Sequence, residues 1–213
     1  MRIAILGTGA VGRTVAGRLV ELGHDVTVGT RDVDDTRARP EWGAGSVAGL
    51  ATFAGAAARS ELVVHASGGS AALDVLVAAG EHNLAGKVLL DVANPLDFSG
   101  GFPPSLFVKD TDSLAERIQR TFPFARVVKS LNTVTAELMV DPGAVGGEHT
   151  MFVAGDDAEA KAVVSGLLAE FGWRDVIDLG DLTGARGMEM LVPLWLRLFG
   201  TLGTAAFGVK VVR

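Results

Sequence analysis

The chain of 213 residues contains no cysteine and no tyrosine. The absence of cysteine excludes disulfides, thiolate metal ligands and a cysteine nucleophile. The absence of tyrosine excludes the tyrosine–lysine acid–base pair of short-chain dehydrogenases. Histidine is scarce and scattered, at His24, His65, His82 and His149. Because metal ligands normally come in clusters, no metal site is predicted.

Positive charge is also scarce, since 19 lysines and arginines stand against 25 aspartates and glutamates, a net charge of -6. Phosphate backbones are bound by clustered basic residues, so neither nucleic acid nor an anionic membrane is an expected partner.

The most apolar stretch, residues 188–207, contains Glu189, Pro193 and Arg197. An arginine near the middle of a membrane helix costs about 2.5–3.5 kcal/mol, which argues against a membrane span. With no signal-peptide pattern at Met1, a cytoplasmic enzyme is expected.

The clearest positive feature is a G-x-G-x-x-G motif that follows an apolar run at residues 2–6 and precedes a helical pattern. In a dinucleotide-binding fold the first glycine allows a tight turn, the second lets the backbone approach a pyrophosphate, and the third lets helix and strand pack closely. The motif therefore predicts a nucleotide site at the start of the chain. Its candidate contacts are Gly7, Thr8, Gly9, Ala10, Val11 and Gly12.

Apolar β-like runs alternate with helical patterns along the chain, which is typical of βαβ units. The predicted fold is α/β, a Rossmann-type doubly wound and mainly parallel sheet of about eight strands with a C-terminal helix. Strands are predicted at 2–7, 25–30, 50–53, 62–67, 86–92, 126–131, 150–154 and 174–178. Helices are predicted near 10–22, 70–80, 112–121, 133–140, 157–171 and 183–206.

Two long loops are expected, at 32–49, where Pro40, Gly43 and Gly45 interrupt any regular pattern, and at 94–110. We expect residues 1–182 to form the nucleotide-binding domain and 183–213 to be a helical appendage of it that closes the pocket or forms a dimer. The helix at 188–199 is apolar around most of its circumference, so something must cover it. Either a homodimer interface anchored by Trp195 and Phe199 or internal packing would do so.

The end of the second strand indicates which nucleotide binds. Sites that select NAD place an acidic residue about 20 residues past the glycines, on the ribose 2′-hydroxyl. Here Thr30 and Arg31 occupy that place, so the sequence predicts NADP, with a guanidinium and a hydroxyl on the 2′-phosphate. Arg37 or Arg39 could close over the same phosphate. If the strand ends one residue later, Asp32 would instead face the ribose and favour NAD.

The rest of the site is expected where other strands end, because ligands of open α/β sheets bind at the carboxyl edge, where strand order reverses. Strand four ends in His65–Gly69, strand five in Asp91–Pro95 and strand six in Lys129–Thr133. The candidate contacts are Ala66, Ser67, Ala93, Asn94, Pro95 and Asn132. For each asparagine the alternative role is a turn or helix cap.

Candidates for proton transfer are few. His65 is the only histidine expected near this edge, either as a proton donor or as a packed strand residue. Lys129 is expected to be structural or a phosphate contact. A hydride acceptor that needs little help from protein acids, such as a flavin or deazaflavin ring, therefore fits best.

Taken together, several segments resemble the NADP-binding oxidoreductases typified by coenzyme F420-dependent NADP reductase. The matching segments are Ile5–Gly12, Val28–Arg31, Asp91–Leu96, Val128–Thr133, Phe152–Asp157 and Asp178–Leu182. The resemblance implies that NADP lies across the sheet edge and that a deazaflavin stacks on the nicotinamide, so that hydride passes between ring carbons.

By the same resemblance, residues 7–12 would hold the pyrophosphate, and Thr30 with Arg31 the 2′-phosphate. The nicotinamide and deazaflavin pocket would be shaped by Ala93, Asn94, Pro95 and Asn132. The chain departs from the family after strand four, where residues 65–69 replace an apolar residue followed by proline. That change lies beside the second-substrate pocket, so F420 is less firmly indicated than NADP.

Three functions remain open at this point. The first is hydride exchange between NADP(H) and a deazaflavin, with catalysis by alignment. The second is NADPH-dependent reduction of a small carbonyl, an imine or a flavin, with His65 or a water as proton donor. The third is a non-catalytic NADP sensor that signals through a partner surface.

Overall fold

The computed structural model describes residues 1–42 and 48–213. Ten strands are found in these ranges: β1 Arg2–Leu6, β2 Asp25–Thr30, β3 Gly49–Thr52, β4 Leu62–His65, β5 Val88–Asp91, β6 Leu96–Asp97, β7 Ser105–Leu106, β8 Arg126–Ser130, β9 Thr150–Gly155 and β10 Asp175–Asp178. The helices are α1 Ala10–Glu21, α2 Val33–Arg37, α3 Phe53–Arg59, α4 Ala72–Ala79, α5 Glu81–Leu84, α6 Leu114–Thr121, α7 Ala136–Val140, α8 Ala158–Phe171, α9 Ala185–Met190 and α10 Val192–Leu202.

The strands form an eight-stranded sheet in the order β10-β9-β8-β5-β4-β1-β2-β3 and a small hairpin of β6 and β7. All neighbours in the large sheet are parallel except β8 and β9. The order reverses between β1 and β4, so the carboxyl ends of these strands border a crevice. The prediction of a doubly wound, mainly parallel sheet of eight strands is confirmed.

Alternate residues of β1 enter two different hydrophobic layers. Ile3 and Ile5 pack with α1, α7 and α8 on one face of the sheet. Ala4 and Leu6 pack with α3, α4 and α6 on the other face. This alternation follows from the two-residue period of a strand, and it buries the sheet between two layers of helices.

Four segments differ from the sequence expectations, three of them within the first 110 residues. The expected loop at 32–49 contains α2 and a 3-10 turn at Pro40–Trp42, because the Asp32 carboxylate caps α2 by accepting from the Asp35 N–H at 2.9 Å. Gly43 and Gly45 lie outside the described residues. Residues 53–59, where no helix was predicted, form α3, which Thr52 caps. The second expected loop, 94–110, holds the β6–β7 hairpin.

The expected helix at 183–206 is instead a 3-10 turn at Leu182–Gly184 followed by α9 and α10. Pro193 explains the break near Leu191, because proline has no N–H to donate to the carbonyl four residues earlier. Trp195 stacks on both Phe199 and Phe207, with ring centroids 5.8 and 5.3 Å apart. Across residues 1–42 and 48–213, no helix combines the length and apolarity needed to cross a bilayer.

Candidate functional site

The glycine turn between β1 and α1 has the backbone that its motif predicts. Gly7 has a φ of +138°, in the region that favours glycine. A Cβ at Gly12 would overlap the carbonyl oxygen of Gly7, whereas a Cβ at Gly9 would meet nothing within 4 Å. The turn therefore leaves open space at the N-terminus of α1, where unpaired N–H groups and the helix dipole favour an anion.

Two arginines and a tryptophan hydrogen-bond to Thr8 in this turn. Its carbonyl oxygen accepts from Arg13 Nη1 at 3.1 Å and from Trp42 Nε1 at 3.3 Å. Its hydroxyl accepts from Arg39 Nη1 at 3.4 Å, while Arg39 also contacts the Asp35 carboxylate at 3.0 Å. Two guanidinium groups thus lie beside the turn, which suits a diphosphate there.

At the end of β2, the predicted phosphate contacts differ in their availability. The Thr30 side chain is buried, and its hydroxyl lies 2.7 Å from the Thr36 hydroxyl. Arg31 is exposed, and it lines a cleft of about 250 Å³ with Thr30, Thr52 and Phe53. The guanidinium of Arg31 is therefore the more accessible donor at this strand end. Of the other two candidates, Arg39 lies by the glycine turn and Arg37 pairs with Asp34 at 3.2 Å.

A larger cleft of about 320 Å³ lies where β4, β5 and β8 end, next to Val11 of the glycine turn. The predicted residues Ala66, Ser67, Ala93, Asn94 and Asn132 line this cleft. It is also lined by residues that were not among the predicted contacts: Gly68, Gly69, Ser70, Val92, Leu96, Phe98, Val134, Thr135, Ala136 and Met139. Pro95 is not among the lining residues; its carbonyl oxygen accepts from the Phe107 N–H at 2.9 Å.

The two predicted asparagines bind each other. Asn94 Nδ2 donates to the Asn132 carbonyl oxygen, and Asn132 Nδ2 donates to Asn94 Oδ1, both at 2.9 Å. Asn132 Nδ2 also donates to the Met188 carbonyl oxygen at 3.1 Å, which ties α9 to the cleft. Leu131, just before Asn132, has a φ of +64°, a conformation that costs about 1–3 kcal/mol in a non-glycine residue. The buried Asn132 Oδ1 has no hydrogen-bond donor in the described structure.

His65 ends β4 as a completely buried side chain that bonds at both ring nitrogens. Its Nδ1 lies 2.7 Å from Asp91 Oδ1, and its Nε2 lies 2.6 Å from Ser67 Oγ. The burial of His65 is what the packed-residue interpretation expects, but the imidazole also bonds to a hydroxyl in the cleft wall. Sequence reasoning missed Asp91, whose only signal was a charged residue at the end of an otherwise apolar strand.

Lys129 is also completely buried, and it lies between two carboxylates. Its Nζ is 2.8 Å from Asp91 Oδ2 and 3.0 Å from Glu189 Oε1, and it also donates to the Ala93 carbonyl oxygen. Glu189, on α9, accepts from the N–H groups of Leu114 and Ala115 at the start of α6, at 2.8 and 3.2 Å. Lys129 therefore has a structural role. The alternative prediction, that it contacts a phosphate, is wrong because its side chain is completely buried.

The pKa values of these buried groups follow from their partners. Burial acts to raise the pKa of Asp91, but the Lys129 ammonium and the hydrogen bond from His65 lower it to about 2. Burial acts to lower the pKa of Lys129, and the two carboxylates outweigh it and raise that pKa. Burial dominates at Glu189 and raises its pKa despite the nearby ammonium. Asp91 and Lys129 therefore form a buried ion pair at neutral pH.

The described residues contain no group of three or more His, Asp or Glu side chains placed to hold a metal ion. The charged groups just described lie behind the wall of the large cleft, whose lining residues are all uncharged. A ligand in the cleft would meet small apolar groups, two amides and the hydroxyls of Ser67, Ser70 and Thr135. This arrangement suits a flat, polarisable ring system better than a highly charged substrate.

Comparison with known proteins gives consistent results. The family model described as "NADP oxidoreductase coenzyme F420-dependent" matches residues 2–95. An F420-dependent NADP reductase from Methanothermobacter marburgensis is 30% identical over 210 residues, covering 93% of this chain and 92% of the relative. The metalloreductase STEAP3 of Rattus norvegicus is 32% identical over 200 residues, or 91% of this chain. The chain spans 38% of the length of that metalloreductase.

A crystal structure from Arthrobacter sp. FB24 is similar over its whole length. It has 57% sequence identity, a TM-score of 0.98 and full coverage of both chains. Its own assignment as an F420-dependent NADP reductase is provisional. Because the whole of both chains superposes, the similarity extends over the sheet, the glycine turn and the C-terminal helices.

Proposed function

Since the chain belongs to the family of F420-dependent NADP oxidoreductases, we propose that it transfers hydride between NADP(H) and a deazaflavin of the F420 type. The observation that carries this proposal is the position of the large cleft. It lies at the point where strand order reverses and adjoins the glycine turn through Val11. Ligands of open α/β sheets bind at such a point.

Residues 7–12 would hold the diphosphate of NADP. Gly7 and Gly12 shape the turn, and Gly9 leaves room beside the N–H groups of Ala10 and Val11 at the start of α1. The turn fits a diphosphate because a Cβ at Gly9 would point into open space, which a ligand can occupy. Gly7 and Gly12 are needed for another reason: a Cβ at either position would overlap backbone atoms, and Gly7 also has a positive φ. Thr8 would sit at the same turn, with Arg39 beside it.

Arg31 would bind the 2′-phosphate, with Thr30 forming the floor of that cleft. The alternative cofactor, NAD, would require Asp32 to face the ribose. Asp32 instead uses its carboxylate to cap α2, which favours NADP. A guanidinium is well suited to this role because its planar fork of donors matches phosphate oxygens.

Ala66, Ser67, Ala93, Asn94 and Asn132 would shape the pocket for the two rings, whereas Pro95 lies outside the cleft lining. When bound, the nicotinamide supplies or accepts a hydride at a ring carbon. The neutral cleft walls would hold the acceptor against that carbon, and such positioning can contribute about 7–11 kcal/mol to the rate. The unpaired Asn132 Oδ1 offers an acceptor for a ligand N–H.

The direct test is to mix the protein with NADPH and F420 and to follow the absorbance of the deazaflavin. We expect exchange in both directions. Wild-type protein that turns over another acceptor but not F420 would contradict the deazaflavin assignment.

Two other outcomes correspond to other functions. Reduction of a small carbonyl, an imine, a flavin or a ferric complex would make the chain a general NADPH-dependent reductase; the metalloreductase relative favours including ferric complexes in the panel. Tight NADPH binding without turnover of any acceptor would make it an NADP sensor.

We propose that residues 183–213 act as an appendage of the nucleotide-binding domain, 1–182. Met188 contacts Asn132 and Glu189 contacts Lys129, so α9 supports the cleft from behind. Beyond it, α10 leaves Leu194, Phe199 and Leu202 exposed. A second copy of this chain would cover these residues in a homodimer.

A further inference from the structure

A continuous line of hydrogen bonds runs from the wall of the large cleft to a buried carboxylate. It starts at Ser67 Oγ, passes through His65 Nε2 and Nδ1, and ends at Asp91 Oδ1, with contacts of 2.6 and 2.7 Å. Hydroxyl, imidazole and carboxylate occur in the same bonded order in hydrolytic triads, where the imidazole moves protons. Nothing in the hydride transfer described above uses this line of residues.

The charges around His65 determine where its protons lie. Asp91 is ionised because Lys129 lies 2.8 Å from its other oxygen, so it only accepts hydrogen bonds. His65 Nδ1 therefore carries a hydrogen, and Nε2 is the nitrogen that gains or loses a proton. The charged groups nearest this line are Asp91 on β5, Lys129 on β8 and Glu189 on α9, and they form one cluster behind the imidazole.

Ser67 connects this buried imidazole with the cleft. Its side chain is half-buried and lines the cleft, whereas His65 is completely buried. The hydroxyl also has a second acceptor, the Gly68 carbonyl oxygen at 3.4 Å. When Nε2 is unprotonated, the Ser67 hydroxyl donates to it. When Nε2 is protonated, it donates to Ser67, whose hydroxyl hydrogen can then turn towards another acceptor.

We propose that Ser67, His65 and Asp91 form a proton relay, in which Ser67 exchanges a proton with the hydride acceptor in the cleft. In acceptor reduction, His65 gives its Nε2 proton to Ser67 Oγ while Ser67 gives its hydroxyl proton to a nitrogen or oxygen of the acceptor. NADPH is oxidised to NADP⁺ as it gives up the hydride. Histidine and serine end neutral, and the acceptor has gained one hydride and one proton.

This proposal rests on the proposed hydride transfer and narrows its substrate class. The acceptor must carry a basic heteroatom that takes up a proton together with the hydride, as a deazaflavin, a flavin, an imine or a carbonyl does. Ser67 is the catalytic residue of this relay. His65 and Asp91 act through it.

The sharpest test compares Ser67→Thr with Ser67→Val, because the two side chains have the same shape and differ in the hydroxyl alone. Ser70→Val is the control, since Ser70 lines the same cleft. In protein without ligands, NMR of the His65 ring measures how fast Nε2 exchanges protons with solvent. We expect Thr to keep the wild-type rate and Val to slow it about tenfold or more. Equal rates in Thr and Val would overturn the relay.

The second readout is the pH profile of acceptor reduction by NADPH. General acid catalysis is worth about 10²–10⁴-fold, so Ser67→Val should fall by about 10²-fold relative to Ser67→Thr at pH values where His65 Nε2 carries the proton that the relay delivers. The gap should close as pH rises further, because an unprotonated Nε2 has no proton to pass to Ser67. A gap that is constant with pH, or the same gap in Ser70→Val, would overturn the relay.

The two proposals fail in different ways. If wild-type protein reduces an imine or flavin but not the deazaflavin, the function proposed above is wrong, while the pH profile still tests the relay on that acceptor. If F420 is reduced and the Thr and Val variants behave alike in both measurements, the relay is wrong and the deazaflavin assignment stands. If no acceptor is reduced, both are wrong.

Discussion

Replacing Lys129 with methionine should cost much of the stability of the fold. In the wild-type chain the ammonium lies 2.8 Å from Asp91 and 3.0 Å from Glu189, and all three side chains are buried. Methionine fills a similar volume without the charge, so two carboxylates would share one apolar environment. Breaking a buried ion pair by removing one partner costs about 3–5 kcal/mol. For a chain of this size that corresponds to a fall in Tm of roughly 6–20 °C.

The stability lost in Lys129→Met should depend on pH, and the direction of this dependence follows from the carboxylate pKa values. In Lys129→Met, burial of the carboxylates is no longer opposed by the ammonium, so their pKa values in the folded state should rise above the unfolded values. A carboxyl group whose pKa is higher in the folded than in the unfolded state makes the folded state more stable as pH falls. The deficit of the variant relative to wild type should therefore be smaller at pH 5 than at pH 7.5.

Urea denaturation followed by circular dichroism at the two pH values measures both effects. Lys129→Met with Glu189→Gln should recover part of the loss, because one of the two carboxylates is then neutral. Lys87→Met is the control: Lys87 donates to the Ala57 carbonyl oxygen at 2.6 Å, and its loss should cost the same at both pH values. A Lys129→Met protein within about 1 kcal/mol of wild type, or a deficit that grows at pH 5, would refute the reasoning.

Three further predictions concern the cofactor, acid stability and assembly. Arg31→Ala should weaken NADPH binding about tenfold to a hundredfold and leave NADH binding nearly unchanged, as measured by calorimetry; equal losses would remove the NADP assignment. The pKa of Asp91 falls from 3.8 to about 2 on folding, so this group stabilises the fold above pH 4 by roughly 2 kcal/mol and loses that contribution as pH falls through its folded pKa. Asp91→Asn should therefore flatten the acid limb of the stability curve, and an unchanged limb would contradict this account. Phe199→Glu should yield monomers by light scattering at micromolar concentration, whereas Val77→Glu, at an exposed apolar position on α4, should not; a monomeric wild type would exclude the dimer.

Local patterns were sufficient to predict most of the fold. The apolar runs and the glycine motif predict the eight strands and α1, because the period of a strand and the needs of a tight turn depend on neighbouring residues. Helix α3 was missed because Phe53–Arg59 is mostly alanine, with no apolar stripe. Its cap, Thr52, was the available signal. The break before α10 was also readable, from Pro193.

The site was predicted in part, for a physical reason. Strand ends meet at one edge, so Ala66, Ala93, Asn94 and Asn132 could be placed together from topology alone. The buried cluster of Asp91, Lys129 and Glu189 could not be predicted in this way, because Lys129 is 38 positions from Asp91 along the chain and 60 from Glu189. Its members also look unremarkable in sequence, each being a single charged residue in an apolar segment. Their pairing depends on strand order and on the docking of α9, which no local pattern contains.

The separation of charge from the cleft bears on how the site would work. The residues that line the large cleft are neutral, while Asp91, Lys129 and Glu189 lie behind the wall. Hydride passing between two ring carbons needs close alignment, and a fixed charge at the point of transfer would favour one oxidation state over the other. A proton needs a route, however, because the acceptor changes its protonation as it is reduced. Ser67 is the one lining residue in the described structure that hydrogen-bonds to the buried imidazole. Under the proposed relay, neutral walls would face the hydride and Ser67 would carry the proton, with Asp91 held in place by Lys129 at 2.8 Å.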